Sequence, residues 1–409
     1  MEPLPFLTDS YPGIGGRIKV VPEDFIVEEI PLYQPCGEGQ HVYVGLEKRG
    51  LSTYQAISAI AQGVRVSSKD IGYAGLKDAH AVTRQMISID GVDPGRVEAL
   101  DLPGIKILWV SQHRNKLKMG HLAGNLFTIR VRDVGEDARS VAQVVLNELQ
   151  RRGVPNYFGE QRFGSRENTH LLGRALLRGD ADVFAREYLG HPQSGDNSEV
   201  YAAREAFDAG DYRAALARWP SSLSEERRML AAMVRNRHDA RQALRVLDKK
   251  LRRLFMSAYQ SYLFNRLLAQ RIRTLDRLEE GDVAFIHASG AAFLVRDPVA
   301  EQPRADRLEI SPSGPLFGPK VLLAEGGPGQ QERELLEEVG LSPAEFRLPG
   351  VRLKGARRPL RVPVTDVQIA WDDGAILSFC LPPGSYATEV LREVMKTESP
   401  SRARGHNAG

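Results

Sequence analysis

One acidic residue lies in a sequence context that suits chemistry on a loop. Asp78 follows the small, apolar residues 71–75 and precedes residues 81–89, in which side chains alternate between two faces. This pattern predicts a strand, a loop that carries Asp78, and a second strand. Gly72 and Gly75 would let a ligand or another backbone segment approach closely. A carboxylate placed there can bind or react with a ligand, although a solvated loop aspartate fits the same pattern.

Motifs for several common mechanisms are absent from the sequence. We find no phosphate-binding P-loop, no dinucleotide fingerprint, no H-E-x-x-H spacing, and no nucleophile elbow, since residues 163–167 lack its second glycine. Asp78 and His80 have no further evident metal ligands near them. Cys36 and Cys380 are far apart and form no C-x-x-C motif, so the sequence predicts two reduced thiols without a zinc site or disulfide framework.

Basic residues are grouped along the chain, although the net charge is only +3. The runs cover residues 113–118, 235–253, 354–361 and 402–404. A single run of this kind is usually a solvated face. Several in one chain favour a polyanionic partner.

Strand patterns occur near both ends of the chain. Residues 17–30 predict a strand, a tight turn at Pro22 and a second strand, and residues 41–46 predict another. Residues 124–132 alternate cleanly, which places Phe127 on the same face as two branched aliphatic residues.

Helix patterns follow these strands. Residues 53–62 predict a helix capped by Ser52, and residues 141–149 predict an amphipathic helix that ends at Gly153. Ser385 is expected to cap a final helix. Its apolar residues at helical spacing are Ala387, Val390, Leu391 and Val394.

Strands at both ends with helices between them predict an α+β fold in which one domain is interrupted by an insertion. Residues 165–275 are mainly helical in pattern. We therefore predict a sheet domain made of residues 1–155 and 356–409, and an insertion of residues 156–355. The tail after residue 396 is expected to be disordered.

No window approaches 18 consecutive apolar residues, and the first ten residues carry no basic segment typical of a signal peptide. The sequence therefore predicts a cytoplasmic protein without a membrane partner.

The segment around Asp78 resembles the signature of the TruD family of pseudouridine synthases, A-G-x-K-D-x-x-A-V-T-x-Q. Four other stretches are similar to the family and occur in the same order. These stretches are Lys19 with Pro22-Glu23-Asp24-Phe25 and Glu29; Gly124-Asn125-Leu126-Phe127; residues 154–164; and residues 381–388. The resemblance therefore covers roughly residues 17–390. Residues 190–245 show no family pattern.

The resemblance implies a specific activity. Members of the family isomerise uridine to pseudouridine in tRNA, typically at position 13, by breaking the N-glycosidic bond, rotating the base and rejoining it through carbon. They use no cofactor or metal. The implied fold is the pseudouridine synthase α+β sheet domain with the family's insertion, and the expected state is a monomer that binds tRNA.

Residue roles also follow from the resemblance. Asp78 is implied as the essential carboxylate, acting either as a nucleophile or as a base that removes a sugar proton. Lys19 is expected to pair with it, and Phe127 to lie against the target base, although a surface lysine and a core phenylalanine are alternatives. Asn125 is expected to bond the base edge or organise the catalytic loop. The two remaining candidates, Phe25 and Glu29, are expected to line the pocket or simply to pack there.

Candidate RNA contacts complete the prediction. His113, Arg114, Lys116 and Lys118 are expected to contact the RNA backbone, and Arg162 to reach phosphate. His80 and Gln85 are assigned supporting or RNA-contacting roles. A non-catalytic RNA-binding protein on the same fold is the alternative, and a metal-dependent RNA-processing enzyme is a more distant one.

Overall fold

The computed structural model of the protein describes residues 3–397. Its strands are β1 (Phe25–Pro31), β2 (His41–Arg49), β3 (Ile71–Tyr73), β4 (Val82–Asp90), β5 (Ile105–His113), β6 (Leu122–Val131), β7 (Val154–Pro155), β8 (Val283–Ile286), β9 (Ala292–Leu294), β10 (Ile310–Leu316), β11 (Arg347–Leu348), β12 (Val351–Arg352), β13 (Ala356–Pro359), β14 (Arg361–Val362), β15 (Thr365–Trp371) and β16 (Ala375–Leu381). Its helices are α1 (Thr53–Val64), α2 (Pro94–Glu98), α3 (Ala138–Arg152), α4 (Thr169–Arg178), α5 (Ala181–Leu189), α6 (Ser198–Asp208), α7 (Tyr212–Arg218), α8 (Ser224–Arg235), α9 (Ala240–Ala243), α10 (Lys249–Arg271), α11 (Pro298–Asp306), α12 (Gly326–Val339) and α13 (Ala387–Met395).

The packing divides the chain into two compact units. The sheet unit comprises Phe6–Asn156 and residues 361–397, and the helical unit comprises Tyr157–Leu360 with residues 3–5. The second boundary lies five residues beyond the predicted one because β13 pairs with β10 of the helical unit, whereas β14 pairs with β7 of the sheet unit.

The sheet unit is built on a mixed eight-stranded sheet. Seven strands lie side by side in the order β15-β16-β6-β1-β4-β2-β5, and the eighth, the short strand β3, also pairs with β4. β1 and β4 run parallel, whereas β6 and β2 lie antiparallel to them on either side. The α+β class predicted from the sequence is confirmed. Three strands that carry candidate site residues, namely β6, β1 and β4, thus lie side by side in one sheet.

Helix α1 covers the half of the sheet that contains β2 and β4. Its residues Ile57 and Ile60 pack against Val44 and Ile87, which are fully buried and directly paired across the two strands. The Ser52 hydroxyl accepts a hydrogen bond from the Gln55 amide at 3.2 Å, as the predicted cap requires. This packing fixes the strand ends that flank the Asp78 loop (residues 74–81).

Two local predictions were wrong. Residues 17–21 form no strand, and Arg17 makes only an isolated antiparallel β-bridge to Arg132 through the backbone. Lys19 adopts a φ of 58°, which is incompatible with extended backbone. Ser385 does not cap the last helix. Tyr386 takes the cap position without a side-chain hydrogen bond. The final helix itself was predicted correctly, and its four expected apolar residues are buried.

The helical unit contains α4–α12 and a small sheet in the order β13-β10-β8-β9. The long helix α10 forms its core, with Tyr259 and Leu263 buried. Over residues 3–397, no helix is long and apolar enough to span a membrane. The predicted disorder of the tail and the basic run at 402–404 concern residues from 398 onward, which lie outside the described residues.

Candidate active site

Asp78 lies on the Asp78 loop, between the end of β3 and the start of β4. One carboxylate oxygen, Oδ2, accepts a hydrogen bond from the Lys19 ammonium, and the other, Oδ1, accepts one from the His80 amide at 3.2 Å. The side chain is 32% exposed. The carboxylate is therefore held from two directions while part of it stays accessible.

The ionisation of Asp78 follows from these contacts. Burial raises the pKa of the carboxyl group, but the hydrogen bond and charge of Lys19 and the amides of His80 and Ala79 outweigh burial. The net result is a lowered pKa, so Asp78 is an anion at neutral pH. An ionised, partly buried carboxylate can act as a nucleophile or as a base.

Lys19 reaches Asp78 from an unusual backbone conformation. Its φ of 58° lies in the left-handed region, which is uncommon for a residue with a side chain. The ammonium lies 4.3 Å from the centre of the Phe25 ring, so a cation–π contact supports it on one side. The Lys19–Asp78 pair expected from the sequence is present, and Phe25 adjoins it.

A second lysine, which the sequence analysis did not single out, holds the backbone of the Asp78 loop. The Lys48 ammonium donates to the carbonyl oxygens of Leu51 at 2.6 Å and Asp78 at 2.8 Å, and lies 3.5 Å from the Thr83 hydroxyl. The residue is 0% exposed. Burial lowers the pKa of Lys48 to about 8; the charge of Lys77 acts in the same direction and that of Asp78 opposes it. A lysine at the buried position of an alternating strand was the signal that could have identified it.

Lys77, the residue before Asp78, joins two predicted site residues. Its ammonium lies 2.9 Å from Glu29 Oε2, as an ion pair without a well-aligned hydrogen bond, and donates to Asn125 Oδ1 at 2.7 Å. Glu29 and Asn125 are directly paired across β1 and β6. The Lys77 and Glu29 side chains are only 5% and 1% exposed. Asn125 and Glu29 are thus placed to organise the Asp78 loop through Lys77.

Three phenylalanines form the aromatic part of the site. Phe127 contacts Phe25 edge-on, with ring centroids 6.2 Å apart, and packs against Phe379 at 5.7 Å. Phe127 is 8% exposed, whereas its neighbour on the same strand face, Ile129, is fully buried. Phe127 therefore lies at the margin of the core, next to the ring that contacts Lys19.

His80 and Gln85 support the loop in different ways. His80 contributes its backbone amide to Asp78. Gln85 is buried and accepts a hydrogen bond at 3.2 Å from Thr53, whose hydroxyl in turn accepts from the Lys77 amide at 2.9 Å. Gln85 is thus linked to the loop through α1.

Four of the predicted RNA contacts, namely His113, Arg114, Lys116 and Lys118, lie away from this cluster within the sheet unit. His113 ends β5, and residues 114–118 follow it at the far end of β2 from Lys48. His41 and Lys48 lie seven positions apart along β2, roughly 23 Å at strand spacing. Arg162 belongs to the helical unit and donates to Ser257 at 2.8 Å and to Ser261 at 3.1 Å.

Comparisons with known proteins identify the class to which this fold and site belong. The sequence profile described as tRNA pseudouridine synthase D (TruD) matches residues 4–394. A protein named tRNA pseudouridine synthase D from Geobacter metallireducens is 50% identical over 97% of this chain and 98% of its own length. A protein of the same name from Geotalea daltonii is 48% identical over 96% of this chain and 100% of its own length.

A solved structure agrees with these matches. The crystal structure of the candidate tRNA pseudouridine synthase D (TruD) from Methanosarcina mazei superposes with a TM-score of 0.83 at 34% identity, covering 97% of this chain and 96% of its own. The protein therefore belongs to the TruD family, and the resemblance inferred from five short motifs is confirmed.

Proposed function

We propose that this protein isomerises uridine to pseudouridine in tRNA, at position 13, with Asp78 as the catalytic carboxylate and without a cofactor. The observation that carries the proposal is the Asp78–Lys19 pair on an accessible loop. The two relatives described above, 50% and 48% identical to this chain, carry the name tRNA pseudouridine synthase D. We further infer that the sheet unit is the catalytic domain and the helical unit the insertion, and that the protein acts as a cytoplasmic monomer without a membrane partner.

The reaction rearranges one nucleotide without net gain or loss of atoms. The bond from ribose C1′ to uracil N1 breaks, the base rotates, a bond from C1′ to C5 forms, and the C5 proton leaves as N1 gains one. Asp78 starts this sequence as an anion, either by attacking the nucleoside or by removing a sugar proton. The lowered pKa of Asp78 supports both roles, because each needs the ionised carboxylate.

The target uridine must leave its stacked position to reach Asp78. Extruding a nucleotide costs a few kcal/mol. Stacking of the extruded base on the ring of Phe127, at the margin of the core, would offset about 1–3 kcal/mol of this cost. In this proposal Phe25 and Lys19 line the pocket and Asn125, Glu29 and Lys77 hold the Asp78 loop. The basic residues 113–118 and Arg162 contact the RNA backbone.

The experiment is to incubate the purified protein with unmodified tRNA, without added cofactor, and to map pseudouridine by chemical sequencing. Wild type should form pseudouridine at position 13. Asp78→Asn should form almost none, while Asp101→Asn, which changes an exposed aspartate, should match wild type. Failure of the wild type to form product, or undiminished product with Asp78→Asn, would overturn the proposal and favour RNA binding without catalysis.

A further inference from the structure

A cavity lies at one edge of the sheet unit, apart from the Asp78 loop. This edge pocket has a volume of about 720 Å³ and is lined by residues 33, 34, 40, 41, 113–116, 118 and 121. Its size falls in the range of small-molecule and nucleotide sites and is far larger than a single phosphate needs. None of the residues that contact Asp78 line it. The edge pocket therefore requires its own explanation.

The floor of the edge pocket is a bonded set of rings. The Tyr33 ring stacks on His113, with centroids 5.2 Å apart and planes 25° apart. The Tyr33 hydroxyl lies 2.8 Å from His121 Nδ1 and 3.2 Å from the hydroxyl of Tyr43, which donates to the Asn115 carbonyl oxygen at 3.0 Å. These bonds fix Tyr33 in place, so a ring entering the pocket meets an ordered aromatic platform.

The fully charged side chains that line the edge pocket are all basic. Its ten lining residues include Arg114, Lys116 and Lys118 and no carboxylate. Arg114 pairs with Glu38, and Lys116 donates to the Lys69 carbonyl oxygen at 2.6 Å, so each holds a defined position. Lys118 is exposed at the rim. Cations beside an aromatic platform are the combination by which proteins hold unpaired nucleotides, with the base on the ring and the phosphate on the cations.

The edge pocket is joined to the Asp78 loop through the backbone. The Gly120 amide donates at 2.8 Å to the carbonyl oxygen of Ala74, the first residue of that loop. Strand β6 then leads from the pocket wall at His121 to Asn125, a span of about 13 Å at strand spacing. A flexible RNA strand can cross this span within a few nucleotides.

We propose that the edge pocket binds an unstacked nucleotide of the RNA substrate, with its base on the Tyr33–His113 platform and its phosphate near Lys118. The inference rests on the proposed function, since it takes the RNA at the Asp78 site as the ligand. A contact of this kind strengthens RNA binding and sets its register without taking part in the bond rearrangement.

The test measures RNA binding and chemistry separately. Dissociation constants for unmodified tRNA, and single-turnover rates of pseudouridine formation at saturating enzyme, are compared for wild type, Tyr33→Leu and Lys118→Ala. Tyr33→Leu should raise Kd about 5- to 150-fold, the effect of losing one stacked base. Lys118→Ala should raise Kd and reduce the slope of log Kd against log salt by about 1. The single-turnover rate should stay at the wild-type value.

Lys106→Ala is the matched control, because it removes an exposed lysine at the opposite end of β5. If Tyr33→Leu and Lys118→Ala raise Kd no more than this control, the edge pocket does not bind RNA. A slower single turnover with unchanged Kd would also overturn the inference. Since Lys118 is exposed, its variant remains informative even if Tyr33→Leu fails to fold. Absence of pseudouridine with wild type would instead overturn the proposed function.

Discussion

The Lys48 ammonium donates a 2.8 Å hydrogen bond to the backbone carbonyl oxygen of Asp78, while the Asp78 side chain pairs with Lys19 on the other side. The proposed catalytic residue is therefore held by one lysine through its backbone and by another through its carboxylate. Lys48 touches no group that would meet the substrate directly. It acts as a positioning residue for the Asp78 loop.

Replacing Lys48 with Met should lower the single-turnover rate about 10²-fold while leaving the Kd for tRNA unchanged. The lost hydrogen bonds release the loop, and a misplacement of about 1 Å can cost that much in rate. The unsatisfied carbonyl oxygens of Leu51 and Asp78 should also lower the free energy of unfolding by about 1–3 kcal/mol. Unfolding in urea measures this second effect.

The pH profile distinguishes positioning from a purely structural role. Because burial lowers the pKa of Lys48 to about 8, raising the pH through 8 removes one of its three N–H donors. The wild-type rate should then fall above pH 8, and the Lys48→Met rate should lack this step. An alkaline step of equal size in both proteins would contradict the assignment to Lys48.

Local sequence pattern predicted much of the fold because its signals are short-range. Strand alternation placed Phe127 and Ile129 on one face, and Ser52 was identified as a helix cap from its position before an apolar helical pattern. The same reasoning failed at Lys19, where a left-handed residue interrupts a strand-like run. Periodicity carries no information about such single-residue conformations.

The supporting residues of the site could not be predicted because they depend on long-range pairing. Glu29 meets Asn125 through the register of β1 and β6, which no local pattern fixes. Lysine usually lies on the surface, so Lys77 on its loop gave no sign that it is buried, and only the strand alternation around Lys48 could have indicated its burial. The family signature contained Lys77 without indicating that it links these two residues.

Replacing Lys19 with Met should shift the acid limb of the kcat/KM profile to higher pH. Lys19 is the main group that lowers the Asp78 pKa against the opposing effect of burial. Without it, burial raises that pKa, and the carboxyl group stays protonated over a wider acidic range. Lys19→Arg keeps a positive charge and should shift the limb less. An unchanged acid limb in Lys19→Met would show that the pair does not set the ionisation of the catalytic group.

Replacing Phe127 with Ala should slow single turnover about 5- to 150-fold, since base stacking is worth about 1–3 kcal/mol. Phe127→Tyr keeps the ring and should retain most of the rate. Ile129→Ala is the matched core control, because Ile129 shares the strand face but is fully buried. It should lower the melting temperature with little effect on single turnover. If Phe127→Ala and Ile129→Ala behaved alike, Phe127 would be a core residue only.

The Glu29–Lys77 pair should show strong coupling in a double-mutant cycle. Both side chains are almost fully buried, so Glu29→Gln or Lys77→Met alone leaves an uncompensated charge and should cost about 3–5 kcal/mol in the free energy of unfolding. The double variant should recover part of this loss, because it removes both charges together. The half-exposed pair Arg84–Glu47 is the control and should show a coupling of at most about 1 kcal/mol. Additive losses at Glu29 and Lys77 would show that the 2.9 Å contact does not link β1 to the Asp78 loop.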